Sequence, residues 1–226
     1  MTGSTQLRTS RIQGIILDYG EVLCFKPTDE QIRRMADVFD ISPARFRELY
    51  EKNRRAYDRG DLTPERYWFS FADELGVALA AHEIQTLRDW DAEMWSSTNA
   101  EMIEWLRTVH LEGIRTALLS NMHADMVAKV RHDFDWTSNF DCMIFSYEVR
   151  AAKPEARIYE LCLKGLGTAA HNTVFVDDRE INVKAAQELG IPAIRFESIA
   201  QLRDELEKFE FPILPMASAS PQACAR

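Results

Sequence analysis

Long apolar runs are missing from this chain, as are paired cysteines and any surplus of positive charge. No apolar stretch nears the roughly 20 residues that a membrane-spanning helix needs. Met1 to Arg11 is polar and lacks the apolar segment of a signal peptide. A soluble, cytoplasmic protein without a membrane partner is the expectation. The four cysteines, Cys24, Cys142, Cys162 and Cys224, stand far apart and form no CxxC pair. Reduced thiols are therefore expected rather than a zinc site or a disulfide framework. The formal net charge of -9 makes nucleic acid and anionic membrane poor broad partners. It leaves room for a small anionic substrate, because a local cation overrides the global sign. Internal repeats and low-complexity tracts are also missing.

What is present is an ordinary globular composition, 46% hydrophobic and 28% charged over 226 residues. That length suits one large domain, or a core with a small insert. The chain is organised around Gly14-Ile15-Ile16-Leu17-Asp18-Tyr19-Gly20. A short apolar run stops on a carboxylate, and a glycine follows two residues later. This pattern predicts a buried parallel strand that delivers Asp18 to the edge of a sheet.

From about Thr28 to about Trp95 the apolar spacing is helical throughout, with Ser42-Pro43 and Thr63-Pro64 as helix starts and breaks at Gly60 and Gly76. About four helices are expected there. Strands and helices then alternate. Strands are read at Thr116–Leu119, Cys142–Phe145, Thr173–Val176 and Pro192–Phe196, and a helix is expected to begin at Pro154. The fold class is α/β: a Rossmann-like parallel sheet covered by helices on both faces, interrupted by a helical bundle. The expected division is a core of residues 12–24 plus 97–211, an insert at 25–96, and a disordered tail at 212–226.

The strand ends carry the chemistry. Asp18, Ser120-Asn121 and Asp177-Asp178 each follow an apolar run, and Lys153 precedes Pro154. A parallel sheet brings them to one edge. Three carboxylates together repel unless a cation sits among them, and such oxygen ligands suit magnesium. Ser120, Asn121 and Lys153 add donors for an anionic oxygen. A cation site, an anion site and a carboxylate nucleophile together equip a site for phosphoryl transfer.

These residues carry a resemblance. LDYGEVL, LLSN, Lys153-Pro154 and VFVDD stand in the order and on the elements of the signatures of the haloacid dehalogenase-like hydrolase superfamily, over nearly the whole chain. The insert resembles that superfamily's α-helical cap. The resemblance implies Asp18 as nucleophile and metal ligand, the Gly20 carbonyl and Asp178 as further Mg2+ ligands, and Asp177 as a ligand or the holder of a bound water. It implies Ser120 and Asn121 as phosphoryl binders and Lys153 as the charge that offsets both. One departure stands out. Most phosphatases of the superfamily have an aspartate two residues past the nucleophile, and here that position is Gly20. The chain is similar to a DxGxV subset that includes glucose 1-phosphate phosphatases. Glu21 or His123 could replace the acid.

The leading expectation is a magnesium-dependent phosphatase of a small phosphorylated metabolite, as a monomer or homodimer. Two alternatives stand beside it: a metal-free 2-haloacid dehalogenase using Asp18, and a phosphate-binding regulatory protein with little turnover. Tyr57, Tyr67, Trp68, Phe69 and Trp90 are expected to pack the insert, with Arg54, Arg55 and Arg59 on a solvated face.

Overall fold

The computed structural model describes residues 12–216. Five strands, β1 (Gly14–Leu17), β2 (Arg115–Ser120), β3 (Cys142–Phe145), β4 (Thr173–Asp177) and β5 (Ala193–Arg195), form one sheet in the order β3-β2-β1-β4-β5. Every pairing is parallel. Side chains along a strand alternate between faces, and the buried residues follow that period. Ile15, Leu17, Leu118, Val174 and Val176 share one apolar cluster, whereas Ile16, Ala117, Leu119 and Phe175 share another.

Eleven α-helices occur among the described residues: α1 (Asp29–Asp37), α2 (Pro43–Lys52), α3 (Arg54–Asp58), α4 (Pro64–Leu75), α5 (Ala81–Met94), α6 (Ala100–Leu111), α7 (Ala124–Asp133), α8 (Ser146–Val149), α9 (Ala156–Leu166), α10 (Glu180–Glu188) and α11 (Ile199–Lys208). Met102, Leu106 and Val109 of α6, Val127 and Val130 of α7, and Leu202 and Leu206 of α11 cover the first face. Ile158, Tyr159 and Cys162 of α9 and Ala186 of α10 cover the second. Both faces are buried, which is why the strands are continuous apolar runs rather than half-polar ones.

α1 to α5 form their own core, built from Met35, Phe39, Phe46, Tyr67, Trp68, Phe71 and Leu87 among others. The side chains of Thr28, Ser42 and Thr63 cap the N-termini of α1, α2 and α4, which satisfies amides that the helix itself leaves free. The bundle joins the sheet through two strands of chain lying side by side. Phe25 N donates to Ser97 O at 2.7 Å and Asn99 N to Leu23 O at 2.8 Å, flanking a bridge between Cys24 and Thr98.

Several sequence expectations change here. The insert holds five helices, because Asn53 (φ -116°, ψ 8°) leaves the helical region and separates α2 from α3. The Asn53 side chain turns instead to α4, its Nδ2 donating to Ser70 Oγ at 3.2 Å. Phe69 is exposed and Trp90 only partly buried, beneath the Arg34 guanidinium. The helix expected at Pro154 begins at Ala156. A turn closing Glu155 N onto Ala152 O keeps Pro154 outside it, after a cis Lys153–Pro154 bond. The packed chain also runs past 212, since Ile213 and Leu214 lie against the core and Ile213 O accepts from Trp105 Nε1 at 3.0 Å. Residues 217–226, with Cys224, lie outside the described residues. Cys24, Cys142 and Cys162 are free thiols. No helix of the described residues is long and apolar enough to cross a membrane.

Candidate active site

β1 lies between β2 and β4, and the chain reverses its direction of sheet growth there. Crevices at such a switch point, beyond the carboxyl ends of the strands, are where α/β sheets bind ligands. Leu17 is level with both Leu118 and Val176. Asp18, Ser120 and Asp177 therefore emerge at one edge, as the strand ends predicted.

Asp18 is buried just beyond β1, anchored by its N–H to Val176 O at 2.9 Å. Its Oδ1 accepts from Tyr19 N at 2.6 Å and lies 2.8 Å from Lys153 Nζ. The same ammonium lies 2.6 Å from Asp177 Oδ2. Lys153 is itself buried, so its charge works in a poorly screened setting. Asn121 fixes that lysine: its Oδ1 accepts from Lys153 N at 2.8 Å and its Nδ2 donates to Lys153 O at 3.0 Å.

Asp177 is the most enclosed of the acids. Asn182 Nδ2 donates to its two oxygens at 2.9 and 3.1 Å, and Arg179 N donates to Oδ1 at 2.9 Å. With Lys153 on Oδ2, both its oxygens already carry donors. Asp178 is the next residue and faces the cavity. Asp18, Asp177 and Asp178 each offer an oxygen within 4.8 Å of one another.

The electrostatics follow from this crowding. Burial pushes the Asp18 carboxyl up to about 8; Lys153 opposes the rise, while Asp177 and Asp178 add to it. Burial, then Asp177 and Glu21, lift Asp178 to about 6. Burial alone would lower the lysine, but Asp177 and Asp18 hold it above its usual range. Three carboxylates face one ammonium, so the edge keeps unbalanced negative charge when they ionise. Asp18 and Asp178 are the two with oxygens open to a cation, and hard divalent ions favour such donors. The residues present thus fit a magnesium ion.

A cavity of about 560 Å³ opens above this edge. Asp18, Gly20, Ser120, Asn121, Lys153 and Asp178 line its floor. Tyr50, Arg54, Asp58 and Trp95 of the insert line its roof. A Cβ built on Gly20 would meet nothing nearer than a Trp95 ring carbon at 3.9 Å, so the missing side chain leaves real space.

Some expectations shift. Asn121 reaches the cavity, yet its amide is engaged with the Lys153 main chain. Asp177 is turned toward Lys153 and Asn182. Glu21 lines the cavity at an exposed position with φ 54°. His123 does not line it: the ring is sealed against Tyr57 with centroids 4.6 Å apart, and burial lowers it to about 4. The solvated face expected for three arginines of the insert holds for Arg55, which is exposed, and fails for Arg54. Arg54 is nearly buried beside Asp91 and Asp58, and Arg55 and Arg59 reach Glu155 of the core at 3.0 and 3.3 Å. Tyr50, Asp58, Asp91 and Trp95 have no part assigned from the sequence, whereas Asn182 reads either as a residue that orients the Asp177-Asp178 pair or as a solvated helix residue. Asn182 had a faint signal, one turn beyond Asp177, but the others stand in an ordinary amphipathic pattern.

The chain is 29% identical over 137 residues to a sesquiterpene phosphatase of Aspergillus oryzae, covering 60% of this chain and 67% of that one. It is 30% identical over 135 residues to bifunctional epoxide hydrolase 2 of Sus scrofa, covering 55% of this chain but only 24% of that one. It is 27% identical over 118 residues to an (S)-2-haloacid dehalogenase of Pseudomonas fluorescens, covering 52% of this chain and 51% of that one. The chain thus spans about a quarter to two thirds of the length of these relatives. Among solved structures, a haloacid dehalogenase-family enzyme of Bacteroides thetaiotaomicron, in complex with magnesium and inorganic phosphate, shares the fold. The TM-score is 0.68 at 22% identity, over 82% of this chain and 94% of that one. Residues 12–190 match the family described as haloacid dehalogenase-like hydrolase, well over half of the chain, and to that hydrolase family the protein belongs.

Proposed function

We propose that this protein is a magnesium-dependent phosphatase acting on a small phosphorylated metabolite, with residues 25–96 as a cap over a core of 12–24 and 97–211. The observation that carries this reading is the buried ammonium of Lys153 between Asp18 and Asp177, with Asp178 alongside: one positive charge among three carboxylates. That set is short of one cation. Asp18, the Gly20 carbonyl and Asp178 would hold magnesium, with Asp177 behind them, and the ion would offset the charge of Asp18 and of an incoming phosphate.

The protein's own groups supply the rest. Asp18 Oδ attacks phosphorus, the bond to the leaving oxygen breaks, and an aspartyl phosphate forms on Asp18. Lys153 and the Ser120 hydroxyl bind the phosphoryl oxygens, where charge must be stabilised in a loose transition state. Asn121 lines the same floor and sets Lys153 in place. Water then hydrolyses the acyl phosphate. The Bacteroides thetaiotaomicron structure, with magnesium and phosphate bound to the same fold, supports this reading.

Gly20 bears on substrate. General acid–base help is typically worth about 10²–10⁴-fold, and its loss from position 20 matters least for good leaving groups. Sugar 1-phosphates are the proposed class. Faster turnover of simple alkyl phosphates than of glucose 1-phosphate would overturn that assignment.

The dehalogenase reading is favoured by the Pseudomonas fluorescens relative and by the missing acid. It leaves the three-carboxylate cluster without a purpose. A single experiment separates the two: phosphate release from a panel of phosphate esters, and chloride release from 2-chloropropionate, each with and without magnesium, with Asp18→Asn alongside. Magnesium-dependent phosphate release that Asp18→Asn abolishes is expected. Chloride release in chelator, without phosphatase activity, would refute it.

A further inference from the structure

The roof of the cavity holds a buried cluster that the proposed chemistry does not yet use. One arginine, Arg54, serves two carboxylates there. Its Nη1 donates to Asp91 Oδ1 at 3.0 Å and Oδ2 at 3.1 Å. Asp91 also accepts from Tyr50 OH at 2.6 Å and faces His123 Nε2 at 3.3 Å. It is fully buried, and although burial alone would raise it, Arg54, His123 and Tyr50 hold its carboxyl below the usual range. Asp91 is therefore the partner that keeps the arginine's charge. Asp58 has the poorer share. Arg54 Nε lies 2.9 Å from its Oδ1 without the alignment of a hydrogen bond. Two buried carboxylates on one buried guanidinium leave an excess negative charge, and a proton is the cheapest way to remove it.

Position completes the case. Asp58 lines the same cavity as Asp18, and Asp91 does not. Its main chain is tied to the floor through one side chain: Ser146 Oγ donates to Asp58 O at 2.5 Å and accepts from Met122 N at 2.9 Å. Met122 follows Ser120-Asn121 directly. The acid of the insert is thus held in register with the loop that receives the phosphoryl group.

The geometry points to Asp58 as the general acid–base of the reaction, supplied by the insert in place of the residue missing at Gly20. This rests on the phosphatase reading above. As Asp18 takes the phosphoryl group, the P–O bond to the leaving group breaks and the leaving oxygen takes the proton of the Asp58 carboxyl. Asp58 becomes a carboxylate beside Arg54. When water attacks the aspartyl phosphate, Asp58 takes up the water's proton, and the cycle closes with no other reactant. Burial lifts the Asp58 carboxyl to about 7, against the pull of Arg54 and with a push from Asp91 and Glu51, which suits a donor at neutral pH.

The test uses leaving groups. With magnesium present, kcat/KM is measured for 4-nitrophenyl phosphate, whose leaving group needs no proton, and for phenyl phosphate, whose leaving group does. Asp58→Asn is expected to lose about 10²-fold on phenyl phosphate and less than about threefold on the nitrophenyl ester. Equal losses on both would overturn the assignment, since a structural role costs both alike. Wild-type pH profiles need no variant: phenyl phosphate turnover should fall as pH rises through about 7, and nitrophenyl turnover should not. Parallel profiles would also overturn it. Wild type that hydrolyses neither ester sinks the phosphatase reading itself, whereas equal losses in an active enzyme sink Asp58 alone.

Discussion

Lys153→Met is the substitution with the largest expected consequence. The ammonium is buried, 2.8 Å from Asp18 and 2.6 Å from Asp177. Removing it strands two buried carboxylates beside a third. Breaking a buried pair from one side typically costs about 3–5 kcal/mol. At about 2–4 °C per kcal/mol for a chain of this size, the melting temperature should fall by roughly 6–20 °C in chelator. The loss must also depend on pH. Stranded carboxylates relieve themselves by binding protons, so the fall should be greatest near pH 8.5 and smallest near pH 5. The wild type has the same sign built in. Asp18 rises from 3.8 unfolded to about 8 folded, so its contribution to stability is full below 3.8 and lost as pH climbs through 8. Magnesium should recover part of the loss at high pH. Thermal unfolding followed by circular dichroism, at both pH values, with chelator and with magnesium, measures all of this. A loss under about 2 °C at pH 8.5, or one equal at both pH values, would refute the argument that charge crowding governs this edge.

Asp18→Asn removes the proposed nucleophile and one crowded charge together. Phosphate release should vanish while the metal-free melting temperature rises at pH 8.5; a fall would contradict the raised carboxyl. Gly20→Asp fits, since only the Trp95 ring approaches the new Cβ, at 3.9 Å. In the Asp58→Asn background, where acid help is missing, it should raise turnover of esters with poor leaving groups about tenfold or more, because such help is worth at least that much. A fall in turnover with folding intact would argue against the space and role assigned to position 20. Gly165→Ala would drive a Cβ into Cys142 Sγ, where α9 crosses β3. Overpacking of that kind costs about 1–3 kcal/mol, which urea unfolding would register as a lower midpoint, and an unchanged midpoint would mean the helix shifts freely. Asn182→Ala leaves Asp177 without the Nδ2 donor and should cost about 1–3 kcal/mol in the same assay; a loss under about 0.3 kcal/mol would show that Asp177 does not need it.

Local pattern was enough to find the floor of the site. Apolar runs ending on Asp18, Ser120 and Asp177 announce strands whose tips are polar, and parallel pairing then has to collect those tips at one edge. The helical spacing between Thr28 and Trp95 announced the insert in the same way, although the break at Asn53 is a single-residue event that periodicity averages over. Pattern failed where partners mattered. Arg54, Arg55 and Arg59 read as a solvated stripe; Arg55 is exposed as expected, but Arg54 is largely buried against Asp91.

The sequence alone determined which segments are strands and helices, which strand ends carry carboxylates, and that position 20 has no acid. These are properties of neighbours in the chain, set by periodicity and by where an apolar run stops. Only the tertiary structure decided who pairs with whom. Arg54 meets Asp91 across 37 positions and Arg55 meets Glu155 across 100, and the setting of Asp58 depends on how it shares the Arg54 guanidinium with the distant Asp91. Burial and pairing are properties of assembled space, so a residue's chemistry in this site follows from contacts that no local pattern specifies.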